Sequence, residues 1–150
     1  MIYTRQQMLF ISGIGVGYCD TMERVEINDE TIIDPRMNHT DKEVKNGQEP
    51  ALIKTSEGWI HLAHGVRRTV AGLRYSLYCC MTDLKNPVKV LRRPSGQFIE
   101  PLGKERVRDV SNVTFSNGWI LDDDGMVYIY YTPSDTRMHV ATTILEKLLD

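Results

Sequence analysis

A chain of 150 residues is long enough for one ordinary domain, and 18 Lys and Arg against 20 Asp and Glu leave a net charge of −2, which argues against a nucleic-acid footprint. No apolar run approaches the length of a membrane span, and the N-terminus lacks the basic-then-apolar layout of a secretory signal. Three cysteines, two of them adjacent at Cys79 and Cys80, do not make a disulfide framework, so the expectation is a reduced, cytoplasmic protein that contacts neither nucleic acid nor membrane.

In chain order, MIYTRQQMLFISGIGVGYCD holds two strand-like runs joined by a Gly-rich segment. Gly13, Gly15 and Gly17 alternate with Ile14 and Val16, which suggests a strand packed closely against another backbone. No helical pattern follows, so a dinucleotide fingerprint is discounted. From Glu23 to Pro50 the composition turns polar, with turn signals at Asn28-Asp29, Asp34-Pro35 and Asn46-Gly47 around a short strand at Thr31–Ile33. Lys54 ends a short apolar run before a turn at Ser56-Glu57-Gly58, and His64-Gly65 is expected to close the next strand. Three strands are expected after Val110. Val113–Phe115 leads to Gly118–Leu121, Met126–Tyr131 follows, and Met138–Thr142 is the third, with Asp122-Asp123-Asp124-Gly125 as a hairpin between the first two. The last eight residues are the only helix-like stretch, enough for a terminal turn or two.

The pattern repeats. Gly58-Trp59-Ile60 matches Gly118-Trp119-Ile120 at a spacing of 60 residues, and Tyr18-Cys19-Asp20 resembles Tyr78-Cys79-Cys80 at the same spacing. Fixed-period similarity with several short strands per unit is the signature of propeller blades; chance similarity within a β-sandwich is the alternative.

Metal binding finds little support. His61 and His64, three apart on a strand, point to opposite faces, and Asp122/Asp124/Gly125 lacks the glutamate of a calcium loop. Asn38-His39-Thr40 and Asn112-Val113-Thr114 match glycosylation sequons, which mean little without a secretory signal. Lys54, His64, Asn112 and Asp135 sit beside strand ends of the repeated unit, where all-β scaffolds place chemistry. They could converge on one mouth, with Trp and Tyr for stacking on sugar rings, and Arg5 could join them. A guanidinium and an ammonium on one rim suit a phosphate. The alternative is that each is a solvated loop residue.

EVKNGQEPALIKT (43–55), GWIHLAHGV (58–66), RYSLYCCMTDLKNPVKV (74–90), DVSNVTFSNGWI (109–120) and YIYYTPSDTRMHVAT (128–142) closely resemble glycoside hydrolase family 130, nearest to the branch acting on β-1,4-mannosylglucose. The resemblance implies an all-β fold in which residues 1–150 are the C-terminal part of a single five-bladed β-propeller, about two and a half blades of it. It also implies a central pocket for a β-mannoside disaccharide and inorganic phosphate, the latter a co-substrate, with no cofactor or metal. The implied reaction is inverting phosphorolysis to mannose 1-phosphate and glucose. Residue by residue, Lys54 and Arg5 match phosphate-binding positions, and His64, Tyr75, Asn112, Phe115 and Asp135 match sugar-binding ones.

The family's catalytic aspartate lies in an earlier blade, so no catalytic residue is expected in this chain and Met1 resembles an internal start. Gln6-Gln7-Met8 and Glu49-Pro50-Ala51-Leu52 depart from the family's usual Pro-Gln-Asp and Gly-Pro-Ala-Pro. Two expectations follow. Either the chain works as part of a phosphorylase, as a homo-oligomer or completed by the N-terminal blades, or it is a non-catalytic relic or carbohydrate-binding module.

Overall fold

The structure, a computed structural model, describes residues 2–8, 11–21, 23, 24, 26, 27, 29–93, 96–107 and 109–149, with side chains described from residue 13 onward. Three antiparallel sheets follow one another along the chain. The first orders its strands β1 (Ile2–Met8), β2 (Ile11–Gly17) and β3 (Glu30–Pro35) as β1-β2-β3. The middle sheet holds β4 (Lys45–Gln48), β5 (Ile53–Lys54), β6 (Trp59–Thr69), β7 (Gly72–Thr82) and β8 (Val90–Arg92) in the order β4-β6-β7-β8, with β5 also on β6. The third orders β9 (Thr114–Leu121), β10 (Met126–Pro133) and β11 (His139–Ile144) as β11-β10-β9. Short 3₁₀ turns at Gly103–Arg106 and Leu145–Leu148 are the helical elements among the described residues.

Strand alternation decides what each face buries. Ile60 and Leu62 of β6, with Leu77, Cys79 and Met81 of β7, meet Trp119, Val127 and Ile129 of the third sheet in one apolar core. Ala63 and Tyr78, on the opposite face of the same two strands, meet Ile14, Val16 and Ile33 of the first sheet in a second core. The middle sheet is therefore packed on both faces, apolar toward the third sheet and mixed apolar and polar toward the first.

A buried polar cluster joins the first two sheets. The Asp34 carboxylate, 1% exposed, accepts from Tyr78 Oη at 2.5 Å, Lys42 Nζ at 2.5 Å and Asn46 Nδ2 at 3.1 Å. Arg93 Nε lies 3.5 Å from it. A buried carboxylate needs such partners to remain charged. The cluster also corrects two expectations: Asp34-Pro35 ends β3 and Asn46-Gly47 lies within β4, neither forming a turn. Asn46 is drawn inside because its amide serves the Asp34 carboxylate, the Asp34 carbonyl and Tyr78 Oη. At the remaining turn signal of that stretch, Asn28 lies outside the described residues.

The glycine-rich segment is strand β2, and a Cβ on Gly13 would come within 2.8 Å of the Asp34 carbonyl oxygen. Residues 122–125 turn β9 into β10, with Gly125 at φ +84° and its N–H donating to Asp122 O. His64-Gly65 does not close its strand. The β6–β7 ladder continues to Thr69↔Gly72, where Gly72 takes φ +103° in the reversal. The two tryptophans are not in equivalent places. Trp59 opens an interior strand and donates to Leu84 O, whereas Trp119 lies near the end of the edge strand β9 and donates to Ala51 O. Asn112 is 6% exposed, which leaves its sequon closed in this fold.

Candidate functional site

The edge strands of the three sheets share one flank. β1 lies against β4. The segment after β4 is tied to β9 by the Ser116 N–H donating to Glu49 Oε2 at 2.7 Å and the Trp119 indole donating to Ala51 O at 2.6 Å. Edge strands carry backbone and side chains not enclosed by a neighbour within their own sheet. On this flank they bring Glu49, Lys54 and Phe115 to the margin of the stack.

An aromatic group stands at the seam between the middle and third sheets. His64 of β6 and Tyr75 of β7 share a face, because His64 pairs with Leu77 and Tyr75 with Val66 in the antiparallel register. Phe115 reaches them from β9. The rings are 5.8 Å apart for His64–Tyr75, 5.3 Å for His64–Phe115 and 5.2 Å for Tyr75–Phe115, the two contacts with Phe115 edge-on. Edge-to-face contacts at this separation are favourable for rings with a negative face and positive edge. Lys45 Nζ stands 5.2 Å from the Tyr75 ring centroid, adding a cation to the aromatic surface.

Glu49 underlies this group. Its side chain is 6% exposed, its Oε1 lies 2.5 Å from His64 Nδ1, and its Oε2 takes the Ser116 N–H. One carboxylate thus holds a ring of the middle sheet and the backbone of the third. The sequence marked position 49 only as a departure from the family pattern; its pairing with a residue 15 positions away has no local signal. Lys45 was missed for the same reason.

Asn112 and Asp135 flank the same seam. Asn112 has φ +60°, tolerated by asparagine; its carbonyl accepts from Tyr75 N at 2.9 Å and its Oδ1 from Arg106 Nε at 3.1 Å. Asp135 (φ +54°) is exposed and follows Ser134, whose N–H donates to Val113 O and whose hydroxyl donates to Glu105 O. The chain segments bearing Asn112 and Asp135 are therefore neighbours.

Lys54 is not brought to the aromatic group. It is exposed, its Nζ lies 5.6 Å from the Trp59 ring centroid, and its backbone pairs with Trp59. Trp59 and His64 are five positions apart on β6, about 17 Å of extended chain and opposite faces. Lys54 thus belongs to the seam facing the first sheet, beside an open cleft of about 610 Å³ lined by residues including Tyr18, Pro50, Trp59 and Lys85. Arg5 lies on β1 opposite Gly13, and its side chain lies outside the described residues.

His61 is a structural histidine. Fully buried, it contacts Gln48 Oε1 through Nδ1 at 3.1 Å and Thr82 Oγ1 through Nε2 at 2.9 Å. Burial pushes its pKa down to about 4, against a smaller upward pull from Asp34. Among the described residues no cluster of His, Cys, Asp or Glu could hold a metal ion, and no helix is long and apolar enough to cross a membrane.

Stacked antiparallel sheets with a shared edge flank place this chain among the nearly all-β proteins, and a beta-1,2-mannobiose phosphorylase from Listeria innocua, solved with beta-1,2-mannobiose, has the same fold. Its TM-score is 0.73 at 20% identity, over 99% of this chain and 44% of that one. The chain belongs to glycoside hydrolase family 130: the family profile, described as beta-1,4-mannooligosaccharide phosphorylase, matches residues 2–150. It is 56% identical, over 99% of its own length, to the 4-O-beta-D-mannosyl-D-glucose phosphorylase of Bacteroides fragilis, of which it spans 40%. It is 38% identical over 71% of its length to the beta-1,4-mannooligosaccharide phosphorylase of Ruminococcus albus, of which it spans 32%. The chain therefore covers less than half the length of each of these relatives.

Proposed function

We propose that this chain is the C-terminal portion of a mannosylglucose phosphorylase, contributing about two and a half blades to a five-bladed β-propeller. The observation that carries the reading is the meeting of His64, Tyr75 and Phe115, from three strands of two sheets, beside a flank where the sheet edges come together. Aromatic faces with a few fixed polar groups suit the C–H faces and hydroxyls of a sugar. The 56% identity to a mannosylglucose phosphorylase supports a β-mannoside as that sugar.

In this reading His64, Tyr75, Asn112, Phe115 and Asp135 bind the sugar, the Asp135 carboxylate accepting from hydroxyls. Lys54, with Arg5, holds inorganic phosphate. Lys54 and His64 lie on opposite faces of the middle sheet, so disaccharide and phosphate together would span its exposed edge. A phosphate oxygen attacks the anomeric carbon as the bond to the glucose oxygen breaks, with inversion, and a proton passes to that leaving oxygen. Phosphate is already anionic, so it needs cations to align it rather than a base. The acid comes from the part of the complete protein outside these residues. No cofactor is needed, and the reduced cysteines fit a cytoplasmic setting.

The test supplies the chain with the complementary N-terminal part of the Bacteroides fragilis relative, mannosyl-glucose and phosphate. Mannose 1-phosphate is expected from the mixture and not from either part. A second reading, a carbohydrate-binding module, is favoured by the aromatic group being assembled within this chain alone. Calorimetric titration of the isolated chain with mannosyl-glucose separates the two: saturable binding without product in either experiment supports the module.

A further inference from the structure

The Glu49–His64 contact carries a consequence for the chemistry that His64 presents. An ionised carboxylate only accepts hydrogen bonds. With Oε1 at 2.5 Å from Nδ1, the ring must carry its proton on Nδ1. The second oxygen cannot relieve this demand, because the Ser116 N–H, a backbone donor that does not rotate away, occupies Oε2 at 2.7 Å. Both carboxylate oxygens are thus committed. Among the described residues Nε2 of His64 has no hydrogen-bond partner. Packing of the ring against Tyr75 and edge-on to Phe115 restricts the flip that would exchange the two nitrogens.

We propose that Glu49 is a positioning residue that locks His64 in the Nδ1–H form, so that Nε2 is a lone-pair acceptor for a donor on the ligand. Resting on the reading above, that donor is a hydroxyl of the mannoside. The arrangement is the general one in which a carboxylate on one imidazole nitrogen sets the role of the other. It complements Asp135: two acceptors of different shape on one seam select ligands with several free hydroxyls. Glu49 also fixes Phe115 relative to His64, since its Ser116 contact is one residue from that ring.

Glu49→Gln gives a sharp test because it keeps size and removes one acceptor. The Ser116 N–H still requires the amide oxygen, which turns the –NH2 toward His64 Nδ1 and forces the proton onto Nε2. Long-range proton–nitrogen NMR of the His64 ring, at a pH above the ordinary imidazole range, reads this directly on the full chain. The expected result is Nδ1–H in the natural protein, Nε2–H in Glu49→Gln and Nδ1–H again in Glu49→Asp, which retains two acceptors. A purely structural role for Glu49 would not move the proton from one nitrogen to the other. With methyl β-mannoside as probe, Glu49→Gln should bind about tenfold or more weakly than the natural chain, the scale of a site left with a mismatched polar group. Nε2–H in the natural protein, or an unchanged tautomer in folded Glu49→Gln, overturns the proposal; the natural-protein spectrum decides even where the variant does not fold. A correct tautomer pattern with no binding of the mannoside to the natural chain overturns the sugar reading of the site and leaves the Glu49 lock standing.

Discussion

Asp34 illustrates how much one polar residue can organise. Its carboxylate is shared by Tyr78, Lys42 and Asn46, from positions 8 to 44 residues away. Replacing it with Asn leaves Lys42, 14% exposed, beside a neutral group, and is expected to cost about 3–5 kcal/mol in urea unfolding, the range for breaking a buried ion pair. Tyr78→Phe removes one bond to a charged acceptor and should cost about 1.5–3 kcal/mol. A second residue-scale prediction concerns acid. The folded pKa of His61 is lowered by burial to about 4 from an ordinary 6.5, so between those values the unfolded chain binds a proton that the folded chain refuses. Stability is full above about pH 6.5 and falls as pH drops toward 4, by about 3 kcal/mol for a shift of this size. His61→Gln should flatten that part of the pH profile. An equally steep fall in the variant would assign acid sensitivity to the carboxylates. Neither role was legible in the sequence. In the sequence Asp34 reads as a turn residue and His61 as half of a His pair on opposite faces, because their partners are remote in sequence and burial has no local signature.

At the scale of elements, legibility followed locality. The β9–β10 hairpin is encoded by alternating Val127, Ile129 and Tyr131 and by a turn whose glycine takes φ +84°. Gly125→Ala puts a Cβ into a left-handed conformation and should cost about 1–2 kcal/mol, although among the described residues, its chain neighbours aside, no atom lies within 4 Å of the added carbon. A thermal shift near zero would show that the turn relaxes to another type. Strand β6 was less legible. Arg67, Arg68 and Thr69 are polar and lie beyond the strand end expected at His64-Gly65, yet they continue the ladder because the hairpin projects beyond the core, with Arg67 and Arg68 exposed. The paired tryptophans misled for a different reason. Gly-Trp-Ile recurs in both places, but Trp59 enters an interior strand and Trp119 leaves an edge strand. Sequence similarity over three residues does not specify strand rank. Among the site residues, His64 and Tyr75 are brought to one face by the β6–β7 register and Phe115 joins them from another sheet, while Lys54 is carried to the other seam by the same period-two rule that separates it from His64.

For the whole molecule, the third sheet ends the stack with a face that no sheet among the described residues covers. Its inner side carries Trp119, Val127 and Ile129 into the core. The register puts Ile120, Tyr128, Tyr130, Val140 and Ile144 on the other side. Ile120 is 53% and Val140 50% exposed. A contiguous apolar and aromatic sheet face in water is an association surface. Among the described residues no further strand pairs with the outer side of the edge strand β11, and such an edge can template further pairing. The isolated chain is therefore expected to self-associate in size-exclusion runs at micromolar concentration. Ile120→Lys with Val140→Lys should shift it toward monomer, and because both side chains leave the core untouched the unfolding midpoint should change little. The same surface bears on activity. An unactivated sugar leaving group needs a proton in the transition state, and a positioned acid is worth about 10²–10⁴-fold in rate. Self-association supplies more copies of this chain but no new kind of residue, and the two carboxylates at the candidate site both have other roles: Asp135 is assigned to binding hydroxyls as an anion, and Glu49 is committed to His64 and Ser116. Neither the oligomer nor the lysine double variant should form mannose 1-phosphate from mannosyl-glucose and phosphate. Product from the natural chain, lost in Asp135→Asn and retained in the double variant, would reassign Asp135 as the acid and overturn the proposal that the acid comes from outside these residues.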